Sequence, residues 1–368
     1  MKTPSFFDFI RFSIGSQKDV PQSAGEIDWS EFFEFCNRQS IQGIVFRGIE
    51  QANPSIPQVI LFNWIGSVEH IKALNRLTNK RTKQISQFWT RQGHRNCILK
   101  GQANALMYPH PELRTPGDID IWVEGADVEI TRTVLKEVPN AHYSFHHVKM
   151  PVFDDVSVEV HYRPAYMSIW WKDKKLQKLT ISVADRQFEN TKGVGDAEFK
   201  CLTDDFNALF LIIHMFGHCF SSHNNFKQLI DYYYLLKHGL SIEQKDWVKR
   251  QFEMLGVEKY AAGIMWIEQE ILGLEKNYLI VEPNKNIGKL LLGYVVNYGA
   301  RPKRSKISLL LHRITDNLPL VRYFPSTVMI GPIYLIWHQW WKLNMSFKLR
   351  QSLSSEALDE LQNINTEL

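Results

Sequence analysis

Closely spaced cysteines are absent from this 368-residue chain, in which Cys36, Cys97, Cys201 and Cys219 stand far apart with no Cys-x-x-Cys pair. That spacing excludes a small disulfide-stapled fold and suits a reducing compartment, so a cytoplasmic location is expected. Internal repeats and low-complexity tracts are lacking as well, which argues against a solenoid or a disordered chain. Residues Met1 to Ile14 carry no basic leader, no unbroken apolar run and no small-residue cleavage site, so secretion is not expected. A marked charge excess is missing too. Lys and Arg number 43 against 39 Asp and Glu, a net +4, and the basic residues are scattered. Without a basic stripe interleaved with aromatics, nucleic acid is not an expected partner, whereas a phosphate-bearing small ligand suits the charge.

A clean membrane-spanning run is the last absence. Leu318 to Leu343 is rich in Ile, Leu and Trp but contains Pro319, Pro325 and Pro332 together with Arg322 and His338. Within it, Tyr334 to Trp341 is strongly aromatic and is followed by Lys342, Lys348 and Arg350. Burial of this segment against a helical module is the expected outcome, with peripheral membrane contact through residues 334–350 as the less favoured alternative.

Hydrophobic residues make up 44% and charged residues 22%, as in ordinary globular proteins. At roughly 150 residues per domain, this length allows two or three packed modules. Trp29 to Gln51 reads as a helix and a following turn of structure, with Asp28 or Ser30 as N-cap, and Val59 to about Gln92 as one long helix. Short apolar runs follow at Cys97 to Leu99, Ile119 to Val123, Tyr143 to Lys149 and Val156 to Tyr162, with a helix-length stretch at Val128 to Val138. Helical spacing returns in Asp205 to Phe220, Phe226 to His238, Lys245 to Leu255 and Lys259 to Leu272, and the basic stretch Arg301, Lys303, Arg304 and Lys306 reads as a solvated loop. The expected architecture is α+β: an N-terminal helical region (1–93), a small mixed-sheet core (94–200) and a C-terminal helical region (201–368) that walls the cleft.

The chemistry concentrates in the sheet. In Gly117-Asp118-Ile119-Asp120-Ile121 the two aspartates are separated by one residue, so on a strand both carboxylates leave from one face. Neighbouring acids repel, and a hard divalent cation with oxygen ligands relieves them. The run Val156-Ser157-Val158-Glu159-Val160-His161 alternates, placing valines on one side and Glu159 and His161 on the other, so Glu159 can join the aspartates and His161 can line the pocket. Upstream, Ile98-Leu99-Lys100-Gly101 reads as a strand ending in glycine, followed by a helix start from Gln102 to Met107 suited to phosphate; Lys100 and Arg114 add positive charge. His214 and His218, four apart on one helical face, read as core or cleft-wall residues, and Asp231 as a structural acid paired with a nearby Arg or His.

Together, Leu99-Lys100-Gly101, Tyr108-Pro109, Arg114, Gly117-Asp118-Ile119-Asp120 and Val158-Glu159-Val160-His161 resemble the uncharacterised bacterial nucleotidyltransferase-like proteins of the DNA polymerase beta superfamily. The resemblance continues through His214-Met215-Phe216-Gly217-His218 and Leu229-Ile230-Asp231, and spans roughly Trp29 to Leu272. It implies a glycine-marked phosphate element at Gly101, metal-binding aspartates Asp118 and Asp120, and a third acid at Glu159. The chain has Gly101-Gln102 where that superfamily often has Gly-Ser or Gly-Gly.

The expected function is transfer of a nucleoside monophosphate from an NTP, such as ATP, to a hydroxyl acceptor with Mg2+, or Mn2+ in its place. Asp118, Asp120 and Glu159 are the expected catalytic and metal-binding residues, with Lys100, Gly101, Arg114 and His161 around the nucleotide. The alternative is a catalytically inactive nucleotide-binding or scaffold protein of the same fold.

Overall fold

The computed structural model describes residues 3–193, 195–220, 224–298 and 317–366. Its N-terminal part is helical, with α1 (Thr3–Ser13), α2 (Trp29–Gln39), α3 (Gln42–Ala52) and the long α4 (Gln58–Arg91). Asp28 caps α2, its Oδ1 accepting from the backbone N–H groups of Ser30 and Glu31 at 3.0 Å each. Ser40, at φ 57°, then turns the chain left-handed after α2, and the residues beyond the expected helix and turn form a second helix, α3. Phe6, Phe32, Phe35 and Trp64 form the centre of this layer, and Phe35 meets Phe226 at 5.7 Å. One apolar core therefore joins the N-terminal helices to those near the C-terminal end.

Four strands make the main sheet: β1 (Asn96–Ile98), β2 (Ile119–Val123), β3 (His147–Lys149) and β4 (Val158–His161). Their spatial order is β1-β2-β4-β3; β1 is antiparallel to β2, β2 parallel to β4, and β3 antiparallel to β4. Helix α5 (Gln102–Ala105) lies between β1 and β2, and the parallel pair is possible because α6 (Asp127–Glu137) lies in the long connection from β2 to β4. Ile119, Ile121, Val123, Val158 and Val160 pack beneath Ile85 and Trp89 of α4 and Ile130 and Val134 of α6. Side chains alternate along a strand, so Asp120 and Trp122, with Glu159 and His161, belong to the opposite face. The chain is thus α+β, as expected from its pattern.

Helix α7 (Trp170–Glu189), absent from the sequence expectation, sets Phe188 against Trp122 at 4.6 Å between ring centres. Then come α8 (Asp204–Cys219), α9 (Phe226–His238), α10 (Ile242–Leu255), α11 (Glu258–Glu270) and α12 (Lys285–Val296). The start of α10 three residues before its expected position follows from a capping box: Gln244 N donates to Ser241 Oγ at 3.2 Å and Ser241 N donates to Gln244 Oε1 at 2.9 Å. The basic stretch at Arg301, Lys303, Arg304 and Lys306 lies outside the described residues.

The last helix, α13 (Pro325–Thr366), is two-faced. Trp341, Met345 and Leu349 are buried and pack with Phe145, Tyr143 and Tyr166, while Tyr334 stacks on Tyr166 at 5.7 Å. The burial expected for the aromatic segment therefore holds for one side only, and it is made against the sheet module rather than the helical one. The other side leaves Met329, Ile333, Ile336, Trp340, Leu343 and Phe347 exposed. Among the described residues, no helix is long and apolar enough to cross a membrane.

Candidate active site

Parallel pairing of β2 with β4 sets Asp120 directly beside Glu159. The same register places Trp122 beside His161, one step further along. Ligand atoms of Asp120, Glu159 and His161 all lie within 4.8 Å of one another. The His161 Nε2 is 3.0 Å from Asp120 Oδ1 and 3.8 Å from Glu159 Oε2. Asp118, one residue ahead of β2, is exposed and lines the cavities on both sides of the carboxylate group. The sequence-derived acids are thus brought to one place, with Asp120 buried, Glu159 half-buried and Asp118 at the rim.

Lys100 follows β1 and reaches across to Asp120 Oδ1 at 3.2 Å and to His214 Nε2, also at 3.2 Å. Burial pushes the Asp120 carboxyl up, but Lys100 and His161 outweigh it and hold the group at about 2. Glu159 shifts the other way, raised by burial and then by the charge on Asp120. Two adjacent acids therefore differ in proton affinity for stated reasons, a pattern found at reactive centres.

Gly101 sits at φ +61°, ψ −111°, a backbone conformation that L side chains rarely adopt. The helix after it is a single turn, and the buried Gln102 side chain turns away from the cleft to the α4 residues Asn75 and Asn79. Arg114 is buried and bidentate with Asp231 of α9: Nε to Oδ1 and Nη2 to Oδ2 are both 2.7 Å, and Tyr108 Oη donates to Oδ1 at 2.6 Å. Burial opposes the charge on Asp231, and Arg114 overrides it, keeping the carboxyl below its ordinary range. Sequence reasoning placed Arg114 at the phosphates and expected Asp231 to find a basic partner; the structure pairs the two.

The opposite wall comes from α8 and α9. His214 and His218 line a cavity of about 350 Å³ with Lys100, Asp118, Glu159 and His161. On its other side, a cavity of about 330 Å³ is lined by Gly101, Arg114, Asp118 and Lys227. Lys227 was not read as a site residue. Burial lowers its ammonium to about 8, with Arg114 adding to the effect and Asp231 opposing it. Its signal was available four residues before Asp231, one helical turn away on the same face. His146 and His147 were missed too, in a segment read only as a strand, and both line the larger cavity.

Burial also lowers these imidazoles: His218 to about 4, His147 to about 3, and His146 and His214 well below the ordinary value of 6.5. A neutral imidazole favoured by folding stabilises the native state above pH 6.5, and that contribution is lost as pH falls from 6.5 towards the folded values. In EDTA-treated protein the melting temperature is expected to drop steeply between pH 6.5 and 4. The double variant His214→Gln/His218→Gln should flatten that drop, and an unchanged slope would contradict the assignment.

The residues present fit a divalent cation, because two carboxylates and an imidazole converge on a shared space beside a third, exposed carboxylate. None of the curated proteins matches the chain. Among solved structures, an antigenic nucleotidyltransferase-like protein from Paracoccidioides brasiliensis is similar at 12% identity and a TM-score of 0.29, covering 52% of this chain and 93% of that one. The family model described as "Uncharacterised nucleotidyltransferase" matches residues 25–273, well over half of the sequence and all of the site. The chain belongs to that uncharacterised nucleotidyltransferase family.

Proposed function

We propose that this protein transfers a nucleoside monophosphate from an NTP to a hydroxyl-bearing acceptor, with Asp118, Asp120 and Glu159 holding Mg2+, or Mn2+ in its place. The observation that carries the reading is the side-by-side register of Asp120 and Glu159 on parallel strands, with Lys100 and His161 against them. When bound, the metal would neutralise the phosphate charge and favour the ionised nucleophile. The acceptor oxygen forms a bond to the α-phosphorus as the bond from that phosphorus to the bridging oxygen breaks, and pyrophosphate leaves with that electron pair. The hydroxyl proton passes to the Glu159 carboxylate. Lys100, Gly101 and Lys227 face the phosphates, and Arg114 keeps α9 in place through Asp231. His161 orients Asp120, and the walls from α8 exclude water.

The test is incubation with each α-labelled NTP, Mg2+ and a cell extract, following label transfer and pyrophosphate release in wild type and in Asp118→Ala/Asp120→Ala. Label transfer lost in the double variant supports the reading. Nucleotide binding without pyrophosphate release from any acceptor pool points instead to the inactive binding or scaffold role. The four cysteines are free and buried, which fits the proposed cytoplasmic location.

As for partners, the exposed side of α13 is proposed to rest on an anionic lipid surface. Met329, Ile333, Ile336, Trp340, Leu343 and Phe347 recur at steps of three and four residues and are all exposed. No Asp or Glu occurs from Pro325 to Ser355, while Lys342, Lys348 and Arg350 are basic. That basic charge complements acidic headgroups. Flotation with phosphatidylserine-containing vesicles is expected to carry the protein upward. Trp340→Glu/Leu343→Glu should remain at the bottom; no flotation of wild type, or concentration-dependent dimerisation in its place, would remove the proposal.

A further inference from the structure

Beside the carboxylates lies a second set of donors, two of which, His146 and His147, the proposed nucleotidyl transfer does not use. His146, His147 and His161 offer ligand atoms that all lie within 4.8 Å of one another. His161 is buried, and its Nδ1 has no hydrogen-bond partner among the described residues, while its Nε2 faces Asp120. His146 Nε2 and His147 Nδ1 are 2.8 Å apart, a separation with room for one proton between two neutral rings. Their rings are held by packing: His146 stacks on Tyr166 at 4.4 Å, and Ser144 Oγ lies 3.4 Å from His146 Nδ1 and 3.3 Å from His147 Nδ1. A buried, unpartnered imidazole nitrogen is costly unless something else satisfies it.

We infer that His146, His147 and His161 form a site for a borderline divalent transition-metal ion, of the zinc and cobalt class, distinct from the carboxylate site that would take Mg2+. Three imidazoles suit such an ion and suit magnesium poorly, because magnesium prefers oxygen ligands and retains its water. Neutral rings leave the ion's charge to be offset nearby, and Glu159 Oε1 lies 3.7 Å from His147 Nε2. Tyr166 and Ser144 act as the surrounding shell that fixes ring orientation. Since His161 belongs to both groups, the imidazole site adjoins the carboxylate site. The inference goes beyond the proposed transfer reaction and does not depend on it.

The test uses the full chain, stripped with EDTA and dialysed against Zn2+ or Co2+. Stoichiometric Zn2+ retained after gel filtration is expected, together with the intense visible absorption of Co2+ in tetrahedral coordination. His146→Ala and His147→Ala should each weaken Zn2+ at least about tenfold. Asp118→Asn should leave Zn2+ affinity unchanged while reducing label transfer. Melting curves for each variant separate lost ligation from lost folding, and His147→Gln serves where the alanine variant unfolds. Failure of wild type to retain Zn2+, or equal retention by a folded His146→Ala/His147→Ala protein, overturns the site. Zn2+ retained by a protein that never transfers label would leave this site standing and remove the transfer reading, whereas Mg2+-dependent transfer without Zn2+ uptake would do the reverse.

Discussion

Asp120→Asn is expected to lower nucleotidyl transfer by on the order of a thousandfold, equivalent to about 4 kcal/mol of transition-state stabilisation. The substitution keeps the shape of the side chain and removes its charge from a place where Lys100 Nζ and His161 Nε2 both approach Oδ1, at 3.2 Å and 3.0 Å. It also changes stability with a definite sign. The folded carboxyl sits at about 2, below its unfolded value, so its contribution is present above the unfolded value and is lost as pH falls towards about 2. At neutral pH the asparagine variant should therefore be less stable than wild type, because Lys100 loses its counter-charge. Near pH 2 that difference should narrow. Pyrophosphate release at saturating NTP, measured beside a melting curve, separates the two effects. A folded Asp120→Asn protein retaining more than about a tenth of wild-type turnover would remove Asp120 from the chemistry.

The largest stability effect is expected at the other end of the cleft. Asp231→Ala leaves the Arg114 guanidinium buried without its carboxylate and strands the Tyr108 hydroxyl, and such losses typically cost about 3–5 kcal/mol. Arg114→Ala should cost a similar amount by leaving Asp231 uncompensated. The double variant Arg114→Met/Asp231→Leu should recover much of the loss, because replacing both partners removes the unpaired charge along with the interaction. Urea unfolding of the four proteins reads this directly. A cost of no more than about 1 kcal/mol for Asp231→Ala, the range of exposed ion pairs, would show that the pair does not hold α9 to the loop before β2. Lys227 lines the same cavity as Arg114 and Asp231, so the single variants should also weaken NTP binding, whereas a purely peripheral pair would leave binding intact.

Legibility in the sequence followed the kind of information each feature needs. The paired aspartates and the alternating run around Glu159 were readable because strand periodicity is local, and β2 and β4 lie where that periodicity placed strands. Helices α8 and α9 were readable from their dense apolar spacing. Helix α7 was not, since its Lys-rich surface dilutes the apolar positions and Phe188 gains its partner Trp122 only through tertiary packing. Arg114 shows the limit most clearly: its position near Asp118 suggested phosphate, yet its partner lies 117 residues away in sequence.

Alternation along single strands was enough, before any fold was known, to put Asp118 with Asp120, and Glu159 with His161, on shared faces. Whether those two faces met depended on β2 lying parallel to β4 in one particular register, since a slip of one residue would send Glu159 to the apolar side. Folding also brought in groups that strand alternation did not place at the site: Lys227 from α9, His214 from α8, and the imidazoles of His146 and His147. Their charge states follow from burial and from neighbours distant in the chain, which only the packed structure supplies.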